Sequence, residues 1–80
     1  MAQVTLRLFA VARVAAGTGV DTFSGDRVGD VLAAARQRYG PGFAEVLAGC
    51  KVWCNGEPAS DDDPLREGDE VAVLPPVSGG

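Results

Sequence analysis

Pro64-Leu65-Arg66-Glu67-Gly68-Asp69-Glu70-Val71-Ala72-Val73-Leu74-Pro75-Pro76-Val77-Ser78-Gly79-Gly80 combines a turn, a strand and an exit from the sheet. The polar segment Leu65 to Glu70 turns the chain into Val71-Ala72-Val73-Leu74, which alternation predicts to be a strand with Val71 and Val73 on one face and Ala72 and Leu74 on the other. Pro75-Pro76 then removes two backbone donors in succession, which ends a sheet ladder and favours an extended chain. A semi-rigid spacer over residues 75–80 reaches about 20 Å at roughly 3.3–3.6 Å per residue, enough to enter another protein's active site. Gly79 and Gly80 lack a Cβ, so they can thread a narrow channel and leave the Gly80 carboxylate open to attack. The chain therefore divides into a domain over residues 1–74 and a tail over residues 75–80.

The rest of the sequence supplies partners for that strand. Val4, Leu6 and Leu8 alternate with Thr5, Arg7 and Phe9, the period of a strand with one buried face. Ala10 to Ala16 reads as a short helical turn closing at Gly17-Thr18-Gly19, and Val20-Asp21-Thr22-Phe23 as a second strand beside the first. Asp26 is an expected N-cap for a helix whose apolar positions, Val28, Val31, Leu32, Ala35 and Tyr39, share one face until Gly40 ends it. Arg36 and Arg38 sit where cations complement the helix C-terminus. Pro41 opens a shorter helix that turns Phe43, Val46 and Leu47 inward. Lys51-Val52-Trp53-Cys54 is a short strand closed by Asn55-Gly56, with Val52 and Cys54 on one face and Trp53 on the other. The sum is an α+β domain with one main helix packed across one face of a mixed sheet.

Composition narrows the function. Eighty residues allow one domain with a compact core. Apolar residues make up 46% of the chain, yet no run approaches the ~20 needed to cross a bilayer, and Arg7 interrupts the N-terminal segment, so neither a membrane span nor a secretory signal is expected. A cytoplasmic location follows. Net charge is −4, with the basic residues dispersed, which argues against nucleic acid as a partner. Histidine is absent, so no Cys/His zinc set exists and no metal is expected. Cys50 and Cys54 in one strand would lie about 13 Å apart at roughly 3.3 Å per residue, beyond disulfide reach, and read as reduced structural residues. Ser60-Asp61-Asp62-Asp63 lacks the closing glutamate of a calcium loop and reads as a solvated turn. With neither a histidine nor an activated cysteine, the chain carries no side-chain constellation for catalysis. Its chemistry is expected at Gly80.

Three stretches resemble the MoaD/ThiS family of sulfur carriers, and within it the small subunit of molybdopterin synthase. They are Leu8-Phe9-Ala10 with Val14, Cys54-Asn55-Gly56, and Pro64 through Gly80; family members end in a very similar Pro-Pro-Val-x-Gly-Gly. The resemblance implies a ubiquitin-like β-grasp with the first and last strands parallel at the sheet centre. It implies a non-catalytic sulfur-donor subunit whose Gly80 carboxylate is adenylated by an E1-like enzyme, converted to a thiocarboxylate with a sulfurtransferase's sulfur, and used by the large synthase subunit to build the molybdopterin dithiolene. ATP belongs to the activating partner, because this chain has no Gly-rich loop followed by Lys and Ser/Thr; no cofactor of its own is expected. Phe9 and Leu74 match two positions of the family's apolar docking patch, although many relatives carry an aromatic residue where this chain has Leu74. With Pro75, Pro76, Val77, Ser78 and Gly79 they form the expected partner-binding set, and Trp53 either extends the patch or is a partly covered surface residue. Two alternatives share the tail: sulfur carriage for thiazole or cysteine synthesis, and a ubiquitin-like modifier conjugated through Gly80.

Overall fold

A computed structural model describes residues 1–76. Eight elements follow in order: β1 (Ala2–Leu8), α1 (Ala10–Ala16), β2 (Val20–Gly25), α2 (Val28–Tyr39), α3 (Pro41–Ala48), β3 (Lys51–Cys54), β4 (Glu57–Pro58) and β5 (Glu70–Leu74). The strands form one mixed sheet in the order β2-β1-β5-β3-β4. At its centre β1 and β5 run parallel, with Leu6 opposite Val71 and Leu8 opposite Val73. A parallel pair has no local turn to join it, so the chain between them must cross a face of the sheet. It does so through α2 and α3, and the result is a β-grasp.

One face of the sheet is apolar and closed. Val4, Leu6, Leu8, Phe23, Val71 and Val73 are buried from the strands, and Val28, Val31, Leu32, Ala35, Phe43 and Leu47 from the helices. The α2 face expected from periodicity is the buried one. Tyr39, half-buried at its end, stacks edge-on between Phe23 and Phe43, with ring centroids 6.0 and 5.0 Å away. That geometry suits aromatic quadrupoles and ties β2, α2 and α3 together.

The start of α2 differs from the expected Asp26 cap. Arg27 is the N-cap residue, and its own amide donates to the Asp30 carboxylate at 3.1 Å. The first free amides of the helix find acceptors far away in sequence: Val28 N–H donates to the Asp63 carbonyl at 3.0 Å and Gly29 N–H to the Asp61 carbonyl at 2.9 Å. The acidic turn thus serves as the cap that a neighbouring side chain ordinarily supplies. Gly29 permits this approach, since a Cβ there would meet the Asp61 carbonyl oxygen and Cβ at 3.1 Å.

The Asn55-Gly56 turn is where the sequence placed it, but the strand β4 that follows it and the contacts of Arg38 were not anticipated. Asn55 and Gly56 both take left-handed conformations, φ 51° and 83°, the signature of a tight hairpin turn. The turn returns the chain as β4, in which Trp53 pairs with Pro58 and Cys54 with Glu57. Arg38 is more than a helix-end charge: its guanidinium lies 3.9 Å from the Phe23 ring centroid, and its Nη1 sits 3.2 Å from Asp21 Oδ1. Among the described residues no helix is long and apolar enough to cross a membrane.

Leu6 is fully buried on the central strand. Leu6→Ala is expected to cost roughly 2–5 kcal/mol, a large share of the ~5–15 kcal/mol typical of a domain. Urea unfolding reads this directly, and a midpoint close to wild type would contradict the central role of the β1–β5 face.

Hydrogen bonds from Tyr39 and the Thr22 amide, opposed in part by burial, leave the Asp21 carboxyl below its ordinary value. A depressed carboxylate stabilises the fold fully above its unfolded pKa, near ~4, and that contribution is lost as pH falls through the folded value. Asp21→Asn should therefore flatten part of the acid limb of a stability–pH profile; an unchanged limb would show that Asp21 contributes nothing there.

Candidate functional site

The face of the sheet opposite the helices carries the candidate site. Pairing of Lys51 with Leu74 and of Trp53 with Ala72 sets these side chains side by side on that face. Arg7, opposite Ala72, shares it. Phe9, Trp53, Gly56, Glu70, Ala72 and Leu74 line one shallow apolar cleft. A second, formed by Lys51, Trp53, Leu74, Pro75 and Pro76, adjoins it. Trp53 and Leu74 belong to both, so Phe9 is joined to the start of the tail by continuous apolar surface.

Phe9 is 44% exposed, unusual for a large apolar side chain beside a core strand. Its backbone is held firmly. The Phe9 amide donates to the Val73 carbonyl at 3.3 Å, extending the central ladder by one residue, and its carbonyl accepts from Ala12 and Arg13 at 3.0 and 3.4 Å. Ala10 next to it adopts φ 51°, a left-handed conformation that costs a non-glycine residue about 1–2 kcal/mol. Strain of this kind persists only where neighbours over-determine it, and it collects at functional surfaces. The corner at Phe9-Ala10 takes the chain out of the sheet.

Leu74 and Pro75 are half-buried and Pro76 is exposed. β5 ends at Leu74, and Pro75 and Pro76 lie in no strand. Val77, Ser78, Gly79 and Gly80 lie outside the described residues. Of the expected partner-binding set, the structure therefore brings Phe9, Leu74, Pro75 and Pro76 together and adds Trp53, whose place the sequence left open. Glu70, at the rim of the cleft, was not singled out in the sequence. It receives the Arg7 guanidinium at 2.8 Å, so its charge is matched across the central strands.

A larger depression beside α1 is lined by Arg7, Phe9, Arg13, Val14, Gly19 and Val20, among others. Of the residues lining the two clefts it shares only Phe9, and it includes none of the residues leading to the tail. No catalytic set accompanies either surface. Both cysteines are free, and burial pushes each thiol above its ordinary value, with Asp69 and Asp63 adding to the effect at Cys54. Such thiols are poor nucleophiles at neutral pH. Among the described residues no group of three or more Cys, Asp or Glu is gathered as a metal site would require.

A mixed sheet that grasps one main helix, with an apolar open face running onto a Pro-Pro exit, defines a small ubiquitin-like β-grasp protein. The chain belongs to the ThiS family, whose model matches residues 6–80, and so to the MoaD/ThiS sulfur carriers. It is similar to the molybdopterin synthase sulfur carrier subunit of Chlamydomonas reinhardtii, 35% identical over 83 residues, covering 98% of this chain and 99% of the relative. The solution structure of small archaeal modifier protein 1 from Methanosarcina acetivorans superposes with a TM-score of 0.90 at 33% identity, covering 100% of this chain and 98% of that one. A complex of subunits 1 and 2 of the molybdopterin-converting factor from Helicobacter pylori contains a chain with TM-score 0.72 at 26% identity, covering 98% and 99%. These similarities establish the ubiquitin-like β-grasp.

Replacing Ala10 with glycine removes the left-handed penalty at the corner but adds unfolded-state entropy. Ala10→Gly is expected to hold or raise stability by up to about 1 kcal/mol, whereas a glycine in an ordinary helix costs roughly 0.5–1 kcal/mol. Thermal unfolding distinguishes the two, and a loss of helix-interior size would contradict a strained corner.

Proposed function

We propose that this protein is the sulfur-donating small subunit of a molybdopterin synthase, carrying sulfur as a thiocarboxylate on Gly80. The observation that carries this reading is the continuous apolar surface from Phe9 and Trp53 through Leu74 to Pro75 and Pro76, in a chain whose family match runs to residue 80. Such a surface lets a partner hold the body while the tail reaches its catalytic centre. Interfaces concentrate their energy in a few central aromatic and aliphatic anchors, and Phe9, Trp53 and Leu74 are of that kind.

The chemistry requires activation elsewhere. A carboxylate offers no leaving group, so an E1-like enzyme first joins Gly80 to AMP as a mixed anhydride, releasing pyrophosphate from ATP. Hydrosulfide attacking the acyl carbon expels AMP and leaves the thiocarboxylate directly; a persulfide sulfur on a sulfurtransferase instead gives an acyl disulfide, which a second thiol cleaves by forming a disulfide with the sulfurtransferase sulfur and releasing the tail as a thiocarboxylate. The large subunit presents the pterin precursor to that sulfur. With no histidine and no Gly-rich loop followed by Lys and Ser/Thr in its sequence, this chain acts as substrate and positioner in the cytoplasm, and the enzymes supply catalysis. The name of the Chlamydomonas relative and the two-subunit Helicobacter assembly support the molybdopterin branch.

Likeness to an archaeal modifier favours a second reading, conjugation of Gly80 to lysines of other proteins. Both begin with the same adenylate. Incubation with an E1-like enzyme, ATP and sulfide, followed by intact-protein mass spectrometry, separates them: exchange of one oxygen for one sulfur is expected, and transfer of that sulfur to the pterin precursor in the presence of the large subunit should restore the original mass. Isopeptide adducts without oxygen-to-sulfur exchange would establish the modifier instead.

A further inference from the structure

The sheet has an edge at β2, and an edge strand ordinarily offers a row of free amides and carbonyls to any extended chain. The Gly19 carbonyl accepts from the Leu8 amide at 3.0 Å, and β2 pairs antiparallel with β1 through Asp21 opposite Leu6 and Phe23 opposite Val4. Hydrogen-bonded pairs alternate along such a ladder, so the backbone groups of Val20, Thr22 and Ser24 point away from β1.

At two of these positions both groups are already taken by side chains. The Thr18 hydroxyl donates to the Val20 carbonyl at 2.9 Å and accepts from the Val20 amide at 3.4 Å. The Thr22 amide donates to Asp21 Oδ1 at 2.8 Å, and the Thr22 carbonyl accepts from Arg38 Nη1 at 3.0 Å. Arg38 is fixed in turn by Asp21 Oδ1 at 3.2 Å and by the Phe23 ring beneath it, while the Tyr39 hydroxyl donates to Asp21 Oδ2 at 2.7 Å and holds the carboxylate in place. One carboxylate and one guanidinium thus bracket the outward side of Thr22.

We propose that Thr18, Asp21 and Arg38 form a guard over the β2 edge that keeps it from pairing with the β2 strand of a second copy of this chain. The edge is self-complementary. A two-fold axis at Thr22 would set Thr22 against its symmetry mate and Val20 against Ser24, placing every outward amide opposite an outward carbonyl in an isologous antiparallel ladder. Exposed Val20, Thr22 and Ser24 would be in register across it, and no charged side chain stands among them. Charge on an edge strand and satisfied backbone groups are how natural sheets refuse such pairing. Asp21 and Arg38 also carry opposite charges, so the guard closes without adding net charge to the edge.

The guard matters for a carrier. Joining two sheets through β2 would leave the open face free but double the body that each partner must accept, and it would lower the concentration of the monomer that docks. Thr18 and Arg38 lie outside the open-face site, so stripping the guard separates self-association from docking.

Analytical ultracentrifugation of wild type, Thr18→Val, Arg38→Met and the double variant tests this, with circular dichroism as the check on folding. Methionine keeps an apolar stem over Phe23 but can neither donate to Thr22 nor pair with Asp21. Wild type is expected to remain monomeric through the high micromolar range. Each single variant is expected to tighten self-association by roughly tenfold, and the double variant by more. Adding Thr22→Pro, which deletes an outward amide and no β1 ladder bond, should return the double variant to monomer. Folded variants that stay monomeric across the same range would overturn the proposal, as would association that survives Thr22→Pro. Because Thr18→Val breaks no ion pair, it still gives an answer if Arg38→Met unfolds.

Discussion

Everything in the molecule is arranged around the parallel pairing of its first and last strands. Leu6 and Leu8 of β1 and Val71 and Val73 of β5 are 0–2% exposed, and they face the same way because their register is in step. Two parallel neighbours cannot be joined by a hairpin, so the intervening chain must cross the sheet, and the apolar stripe of α2 is what makes that crossing favourable. The pairing also determines where the functional surface lies. Phe9 follows directly from β1 and bonds to Val73, so the residue that leaves the first strand and the residues that leave the last one emerge at the same end.

Strict alternation then divides labour between two faces. On β5, Val71 and Val73 go to the core while Ala72 and Leu74 stay on the open side. On β3 the same step sends Val52 and Cys54 inward and leaves Trp53 beside Ala72. A slip of one residue in either strand would exchange the two sets, burying Glu70 and exposing valines. The knot at the far end of β5 opposes such a slip: the Asn55 side chain accepts from the Glu70 amide and donates to Asp69, both at 2.9 Å, while the Asp69 carbonyl accepts from Thr5 at 3.0 Å.

Periodicity made β1, α2, α3 and β5 legible from sequence, since each carries enough apolar residues on one side to declare its period. It also sent Phe9 and Trp53 away from the core. What it could not show were contacts between residues distant along the chain. Asp26 looked like a cap because capping is usually local, whereas the α2 amides are met by carbonyls of Asp61 and Asp63 more than thirty residues on. β4 escaped notice because two residues, one of them proline, have no period. Arg38 read as a helix-end charge until Asp21 and Phe23 were placed beside it. The β1–β5 pairing came from the family resemblance and not from spacing, and the clustering of Trp53 with Leu74 needed the β3–β5 register. Residues 77–80 were legible only as chemistry, through the missing Cβ atoms and the acyl group of Gly80.

On the proposed function, a carrier that passes between enzymes faces conflicting demands on its surface. The patch must be apolar enough to dock, yet each partner must also release it, so it cannot be as large or as sealed as a permanent interface. Here the apolar area is broken by the Arg7–Glu70 pair at its rim, a contact whose own worth on an exposed surface is about 0–1 kcal/mol but whose charges are costly to desolvate. Phe9, Trp53 and Leu74 can therefore supply attraction while the rim limits how much area a partner closes over. Stability is kept apart from this exchange. Among the described residues, no core side chain lies beyond Val73, so the packing described for the body is complete before Pro75. On the proposed function, a body unchanged by what happens at Gly80 would present the same face to each enzyme in turn, and the state of the carrier would be left for the tail to report.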